Sequence, residues 1–200
     1  MNRLLGGLAL ALTLLGHAHA QVIEFEANGL HYQTLTRSGV TVMWAPLITL
    51  LHEYSIIQVA VSNGSGGPYV IRAEDFSFVR PDGSVLRATP ARTVVTMLSQ
   101  KGSGSDVIKL VTAYEASVYG NAHFKSTNGY EQRRQSALAM TSTKFKAAAT
   151  ASALAMVQTK LPPGDSTDGA VFFQTDGKPL GPGHLLVRTN TDVFNFMTSE

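Results

Sequence analysis

Short segments in which apolar residues alternate with more polar ones recur along the chain, and turns rich in glycine, proline, asparagine and aspartate separate them. The clearest segment lies within residues 55–83, where Ile57, Val59 and Val61 occupy every second position. This period is typical of a strand with one buried face, and β-branched side chains favour a pleated surface. Glycine and proline then interrupt the pattern at residues 63–68, so residues 55–83 are predicted to form a central β-hairpin around a turn or loop.

Strand segments of the same kind lie on both sides of the middle of the chain. They are residues 22–26, 30–36, 40–44, 57–62, 69–71, 76–79, 84–88, 169–174, 185–189 and 193–196. Residues 22–26 are predicted to be an edge strand, whereas residues 47–51 fit either a strand or a loop. The Asp-Gly pairs at 168–169 and 176–177 are predicted to be turns on either side of a strand. Trp44 is predicted to fill a core position, because large aromatic side chains mostly bury their area.

Residues 89–160 carry helical periodicity instead. A first helix is predicted from Thr89-Pro90 to Lys101, because proline is favoured at the first helical position and glycine follows the last. A second is predicted over about residues 105–120, where apolar residues recur at spacings of three and four. A third is predicted over residues 129–158. Its second half is rich in alanine, which has the highest helix propensity, and it is expected to pack on the second helix.

The order of these elements predicts the fold class. Strands lie both before and after the helical block, and the final strands need partners among the earlier ones. The chain is therefore predicted to be mainly β with a helical insertion, an α+β protein in which an antiparallel sandwich accompanies about three helices. Residues 21–88 and 161–200 are assigned to the sandwich, and residues 89–160 to the insertion.

Residues 1–20 have the pattern of a secretory signal peptide. Arg3 provides a basic start, an apolar run follows, and Ala18-His19-Ala20 fits a cleavage site for small residues. The apolar run is too short for a retained membrane anchor, which needs about 20 residues in a helix. We therefore expect an exported protein, periplasmic or secreted, that begins near Gln21 and has no stable membrane insertion after the signal is removed.

Composition narrows the range of functions. The chain has no cysteine, which excludes disulfides, thiolate metal sites and cysteine nucleophiles, and export without disulfides favours a bacterial source. The formal net charge is +2, and removal of Arg3 with the signal leaves +1. So weak a charge does not favour binding to nucleic acid.

The strand portions also carry turn motifs of a known type. These are VAVSNGSGGP, EDFSF, RPDGSVL and LPPGDSTDGAVFF. Together they resemble the immunoglobulin-like sandwich domains of exported bacterial proteins. The resemblance implies a fold and a compartment, but it brings no catalytic residues with it.

Motifs that would carry catalytic or cofactor chemistry are incomplete. Residues 164–169 have phosphate-loop spacing, yet Ala170 and Val171 stand where lysine and serine or threonine are required. The mature histidines are isolated in sequence, and no metal-binding pair at helical spacing is present among His31, His52, His123 and His184. No cofactor, metal or catalytic residue is predicted.

Two short clusters remain as candidate interaction residues. Asn63, Gly64 and Ser65 belong to the glycine-rich turn, which an exposed loop could present to a partner. Tyr130, Arg133 and Arg134 open the third helix, and paired arginines bind carboxylate or phosphate in a bidentate way. For both clusters a structural role is favoured, the first as a turn and the second as a solvated helix start in which Glu131 pairs with Arg134 or Gln135.

The sequence favours a non-catalytic exported domain that binds a protein or another envelope component through a sheet edge or the helical block. One alternative is a protease inhibitor that presents residues 63–68. Another is a carrier of a small ligand or lipid beneath the alanine-rich helix. A third is an exported hydrolase with a site between sandwich and helices, built from some of His52, His123, His184, Glu74 and Asp106.

Overall fold

A computed structural model describes residues 21–119 and 128–197 of the chain. The described strands are β1 (Ile23–Ala27), β2 (Leu30–Arg37), β3 (Val40–Leu51), β4 (Tyr54–Asn63), β5 (Tyr69–Ile71), β6 (Phe76–Val79), β7 (Val85–Arg87), β8 (Thr159–Leu161), β9 (Ser166–Gln174), β10 (His184–Arg188) and β11 (Val193–Asn195). The described helices are α1 (Ala91–Lys101), α2 (Gly104–Tyr119), α3 (Tyr130–Leu138) and α4 (Thr143–Leu154). The predicted signal peptide and His123 lie outside the described residues.

The strands form three antiparallel sheets. The largest has the order β1-β2-β3-β4-β9, the second has the order β11-β10-β6-β7, and β5 pairs with β8. All four helices come between β7 and β8 in the chain. The prediction of a mainly antiparallel β protein with helices, an α+β fold, is confirmed. None of the described helices has the length and apolar character that crossing a membrane requires.

The five-stranded sheet is the central layer, because both faces of β4 and β9 are buried. On β4, Ile57, Val59 and Val61 face the four-stranded sheet and share one core with it. The intervening side chains face the helices, and Gln58 and Ala60 are only 1% and 2% exposed. The prediction that β4 has one buried face was wrong, since the helices cover the face that the polar residues had marked as open.

Aromatic rings fill the core between the two larger sheets. Trp44 lies edge-on to Phe78 and Phe196, with ring centroids 6.5 and 6.2 Å apart, and Phe78 makes a similar contact with Phe173 at 6.5 Å. Edge-to-face pairs at such distances are favoured electrostatically and also bury large apolar areas. The prediction that Trp44 is a core residue is confirmed by its 7% exposure.

The helical layer has a second apolar core against the central sheet. Leu98 of α1, Leu110 of α2 and Leu154 of α4 pack there with Ile56 and Phe172 of the sheet. α4 contacts α1, α2 and α3, so its expected packing on the second helix is one of three contacts. Its buried small residues are Ala147, Ala148, Ala151 and Ala153.

Two predicted elements differ from the observed ones. The third predicted helix is two helices, because residues 139–142 interrupt it and Ser142 occupies the position before the first turn of α4. Serine is a poor residue for a helix interior, and the Ser142 side chain makes no capping hydrogen bond to α4. The predicted hairpin within residues 55–83 is also wrong, since β4 pairs with β3 and β9 whereas β5 pairs with β8. Residues 63–68 therefore connect two sheets.

The outer edge of β9 is covered by two crossing segments. Thr89 N donates to Phe172 O at 2.7 Å, and Met156 N donates to Ala170 O at 2.9 Å. The Asp-Gly pair at 168–169 lies inside β9 and is not the predicted turn, whereas the pair at 176–177 has the positive φ angles of a turn. Gly169 is required by this arrangement, because a Cβ atom there would lie 2.4 Å from Met156 Cα.

Replacement of Gly169 by alanine is expected to lower the free energy of unfolding by about 1–3 kcal/mol, the usual cost of inserting an atom into a packed site. Gly66→Ala is the matched control, because a Cβ atom at Gly66 meets nothing within 4 Å. Urea unfolding measures both variants. Equal stability of the two would contradict the close approach of Met156 to β9.

Candidate interaction surface

The first strand, β1, is the open edge of the central sheet. It pairs with β2 on one side, and within the described residues no strand lies on its other side. Asn28-Gly29 joins the two strands, and both residues have the positive φ angles of a two-residue hairpin turn. The prediction of an edge strand here is confirmed. β1 is thus exposed along its length, whereas the β9 edge of the same sheet is covered.

The two faces of β1 differ in chemistry. Ile23 and Phe25 point to the side of the sheet that carries the helices, because they pair with Thr34 and Tyr32. Among the described residues, no helix covers these two side chains, so Ile23 is 61% exposed and Phe25 37% exposed. The Phe25 ring stacks on Tyr32 with centroids 5.1 Å apart and planes within 8°. This face is therefore an exposed apolar surface on which one aromatic ring is held by stacking.

The opposite face of β1 is acidic. Glu24 accepts a hydrogen bond from Gln33 Nε2 at 2.6 Å, and Glu26 lies 2.9 Å from His31 Nε2. Both contacts are at the surface. They hold the two carboxylates over the neighbouring strand, at every second position along the open edge.

The free backbone groups of β1 belong to the acidic residues. In a two-residue hairpin the flanking residues, Ala27 and Leu30, exchange hydrogen bonds, and the bonding alternates from there along the pair. Phe25 therefore also bonds to β2, and the N–H and C=O groups of Glu24 and Glu26 point away from the sheet. A strand added to this edge would bond to Glu24 and Glu26.

An apolar groove lies next to the hairpin turn that ends β1. Asn28 lines it, together with Leu47 and Ile48 of β3 and with Ile108 of α2, and its volume is about 360 Å³. Ile48 is 84% exposed and Ile108 67% exposed. Asn28 Nδ2 also donates to Ala116 O at 3.3 Å, which fixes the turn against α2. The groove thus extends the exposed apolar surface beyond the end of β1.

The glycine-rich loop is held from inside by Asn63. Its side-chain nitrogen donates to Gly67 O at 2.8 Å and to Leu161 O at 2.9 Å, and its side-chain oxygen accepts from Ser65 N at 3.0 Å. Asn63 is fully buried, so its side chain has a structural role. Gly64 is exposed and Ser65 half-buried, and the prediction that this loop binds a partner now depends on these two residues.

The side chains predicted at the start of the third helix are engaged within the chain. Tyr130 is buried and its hydroxyl lies 3.4 Å from Glu115 Oε1, while Arg134 Nε contacts the same carboxylate. Arg133 donates from Nε and Nη2 to Ala153 O at 3.3 and 3.1 Å. The two arginines therefore fix α3 to α2 and α4, and they do not form a shared anion site in this arrangement.

A buried polar cluster that the sequence did not reveal joins α2, β9 and Asn128, which lies just before α3. Tyr114 donates its hydroxyl hydrogen to Asp168 Oδ2, and Asn128 Nδ2 donates to Asp168 Oδ1 at 2.8 Å. Asp168 is 2% exposed. Burial and the neighbouring carboxylate raise the pKa of Tyr114 well above its ordinary value, so its hydroxyl remains a donor. The sequence signal was an acidic residue inside an apolar strand, which the turn interpretation concealed.

The residues considered for a hydrolase come together only in part. His52 Nε2 lies 3.1 Å from Asp106 Oδ2, and Ser103 Oγ donates to the same oxygen at 2.7 Å. The carboxylate lies between serine and histidine, whereas activation of a serine nucleophile requires the histidine in that place. Glu74 and His184 lie by the four-stranded sheet, on the other side of the central sheet from α2.

The contact of Ser103 with Asp106 is the cap of α2. Ser103 N donates to Asp106 Oδ2 at 2.9 Å, and Asp106 N donates weakly to Ser103 Oγ at 3.3 Å. This reciprocal bonding satisfies backbone donors that a helix start leaves free. His52, in the turn between β3 and β4, adds a bond that ties the central sheet to this end of α2.

Across residues 21–119 and 128–197, no group of three or more histidine, aspartate or glutamate side chains is arranged to hold a metal ion. Comparison with models of known protein families, with curated proteins and with solved structures gives no match for the chain.

Asn63→Ala is expected to lower the free energy of unfolding by about 1–3 kcal/mol, because it leaves the buried carbonyl of Leu161 without this donor. Asn190→Ala, at an exposed position in a loop, should change it by less than about 0.5 kcal/mol. Chemical unfolding of the two variants compares them directly. A tolerated Asn63→Ala substitution would argue against the anchoring of this loop.

The Asp106 carboxyl should make stability depend on pH in acid. Burial works to raise its pKa, but hydrogen bonds from Ser103 and His52 outweigh burial, so the pKa lies below the ordinary 3.8. A lowered folded-state pKa stabilises the protein above the unfolded-state pKa, and this contribution is lost as pH falls through the folded value.

Asp106→Asn is therefore expected to be less stable than the wild type at neutral pH, and the difference should shrink below about pH 4. Unfolding free energies measured across this range test the expectation. Ser103→Ala should reduce the same pH dependence without removing it, because the bond from His52 remains. Parallel pH profiles for wild type and Asp106→Asn would contradict the assignment.

Proposed function

We propose that the chain is an exported, non-catalytic binding domain that captures an extended segment of a partner protein, such as a component of the cell envelope. The segment adds as a further strand to the open edge of β1. Main-chain hydrogen bonds supply affinity in this mode of binding, and alternate side chains supply specificity. The observation that carries the proposal is that, in the part of the chain that the structure describes, β1 has exposed side chains on both faces and no strand along its outer edge.

The contrast between the two ends of the central sheet supports the proposal. Exposed edges invite unwanted strand pairing, and proteins usually cover, charge, shorten or interrupt them. β9 is covered by Thr89 and Met156, while β7 and β11 at the ends of the other large sheet have three residues each. β1 is longer, and beside the charged Glu24 and Glu26 it carries exposed Ile23 and Phe25.

The compartment and the finer fold are part of the same proposal. Export is supported by the basic start, apolar run and small-residue site within residues 1–20. An immunoglobulin-like sandwich is supported by two antiparallel sheets that share one aromatic core. On this proposal the helices are an additional layer on the outer face of one sheet.

Strand addition at β1 can be tested by removing one backbone N–H group. Glu26→Pro removes the outward N–H without removing a bond to β2, because Glu26 is at a position that does not bond to that strand. Glu26→Gln is the matched control, since it keeps the N–H and removes the same charge. Peptides selected from a displayed library against the wild-type protein should bind the glutamine variant and lose binding to the proline variant.

Circular dichroism and thermal unfolding should first show that both variants are folded. Selected peptides that bind the folded proline variant as tightly as the wild type would contradict strand addition at β1.

A further inference from the structure

The open edge of β1 has one acidic and one apolar face, and this arrangement determines what can pair with it. A partner strand that bonds to Glu24 and Glu26 places the side chains directly opposite them on the acidic face. Its intervening side chains fall on the apolar face, beside Ile23 and Phe25. We propose that the edge selects an extended segment in which lysine or arginine alternates with apolar residues. The inference rests on the proposed strand addition and specifies its ligand.

The register of such a complex is determined by the faces. Side chains alternate between the two faces of a strand. A shift of the partner segment by one residue along β1 would therefore put its basic side chains on the apolar face and its apolar side chains against the carboxylates. A shift of two residues keeps both faces matched. The segment is thus recognised by its alternation, and several registers of a regular repeat satisfy it.

The same charges disfavour pairing of two copies of this chain through β1. In an antiparallel pair of copies that keeps the faces matched, Glu24 lies opposite Glu26 of the second copy. A shift by two residues instead brings Glu24 opposite Glu24, or Glu26 opposite Glu26. Like charges directly opposite each other on neighbouring strands are destabilising. The acidic face therefore acts against self-association at this edge, while a basic segment gains a favourable pair at each of the two positions.

The apolar half of the pattern is supported by the aromatic stack. Phe25 lies flat on Tyr32 at 5.1 Å, and this contact orders the ring before any partner is present. A partner side chain opposite Phe25 would continue the row from β2 through β1. Cross-strand pairs of aromatic residues with each other or with β-branched residues are among the favourable ones in antiparallel sheets. Valine, isoleucine, tyrosine and phenylalanine are therefore the side chains expected there.

Three synthetic peptides that differ at alternate positions test the inference. They share valine and tyrosine at the apolar positions and carry lysine, glutamine or glutamate at the others. Binding to the full mature chain is measured by fluorescence anisotropy at low salt and again at about 0.5 M salt, where exposed charge pairs are screened. We expect the lysine peptide to bind about tenfold tighter than the glutamate peptide at low salt, with the glutamine peptide between them.

Variants of the protein separate the charge effect from the backbone effect. Glu24→Gln combined with Glu26→Gln should bind all three peptides about equally, and Glu24→Lys combined with Glu26→Lys should prefer the glutamate peptide. Glu26→Pro should weaken all three relative to Glu26→Gln, which matches it in charge. These reversals are not expected from nonspecific attraction to a protein of net positive charge.

The experiment distinguishes failure of the charge selection from failure of the proposed strand addition. Equal binding of the three peptides to the wild type, with loss of all three in Glu26→Pro, would overturn the charge selection and leave strand addition standing. Binding that survives in Glu26→Pro would locate the peptide away from β1 and overturn the proposed function as well. Absence of binding by all three peptides at low salt would count against both.

Discussion

Burial of β4 and β9 of the central sheet on both faces is the constraint on which the rest of the structure depends. β4 contributes Ile57 and Val59 to one core and Ile56 to the other, so neither face can be left to water. Burying such side chains contributes about 1.5–3 kcal/mol each. The four-stranded sheet covers one face and the helices cover the other. The helical segment is therefore part of the folding unit, since its removal would expose a complete apolar core.

The two outer strands of the central sheet differ in exposure, because other parts of the chain cover β9 but not β1 in the described structure. The chain passes β9 at Thr89 and again at Met156, and both segments bond to its outer backbone. At β1 the described helices reach only the turn at Asn28, and Phe25 rests on Tyr32 with 37% of its side chain exposed. The side chains of the proposed binding surface are thus exposed, whereas Asp168 and its partner Tyr114 are buried. That difference is why the surface, and not the polar cluster, is the candidate for recognition.

Local patterns predicted the elements well, but not their partners. Alternation indicated β1, β2 and most of β4, and helical spacing indicated α1 and α2. Beside the pairing of β5 with β8, Asn63 bonds to Leu161 across 98 residues, and no local pattern records such a contact. Likewise, Asp168 was assigned to a turn because its use as an acceptor for Tyr114 requires the folded helices. The alternation of acidic and apolar residues in β1 is visible in the sequence. The exposure of β1, however, depends on which parts of the sheet the helices cover in the folded protein.

The place of β9 in the chain has a consequence for how the protein folds. β9 pairs with β4 along its length, from Tyr54 opposite Gln174 to Ser62 opposite Ser166, although more than a hundred residues separate the two strands. Non-local pairings of this kind slow folding, because a long loop must close before they form. During synthesis β1 to β4 can pair first, and β4 then carries a long apolar edge until β9 has been made. The chain being synthesised therefore has a second unpaired, aggregation-prone strand edge that the folded protein lacks. A chaperone that binds unfolded chains would protect this edge most during that interval.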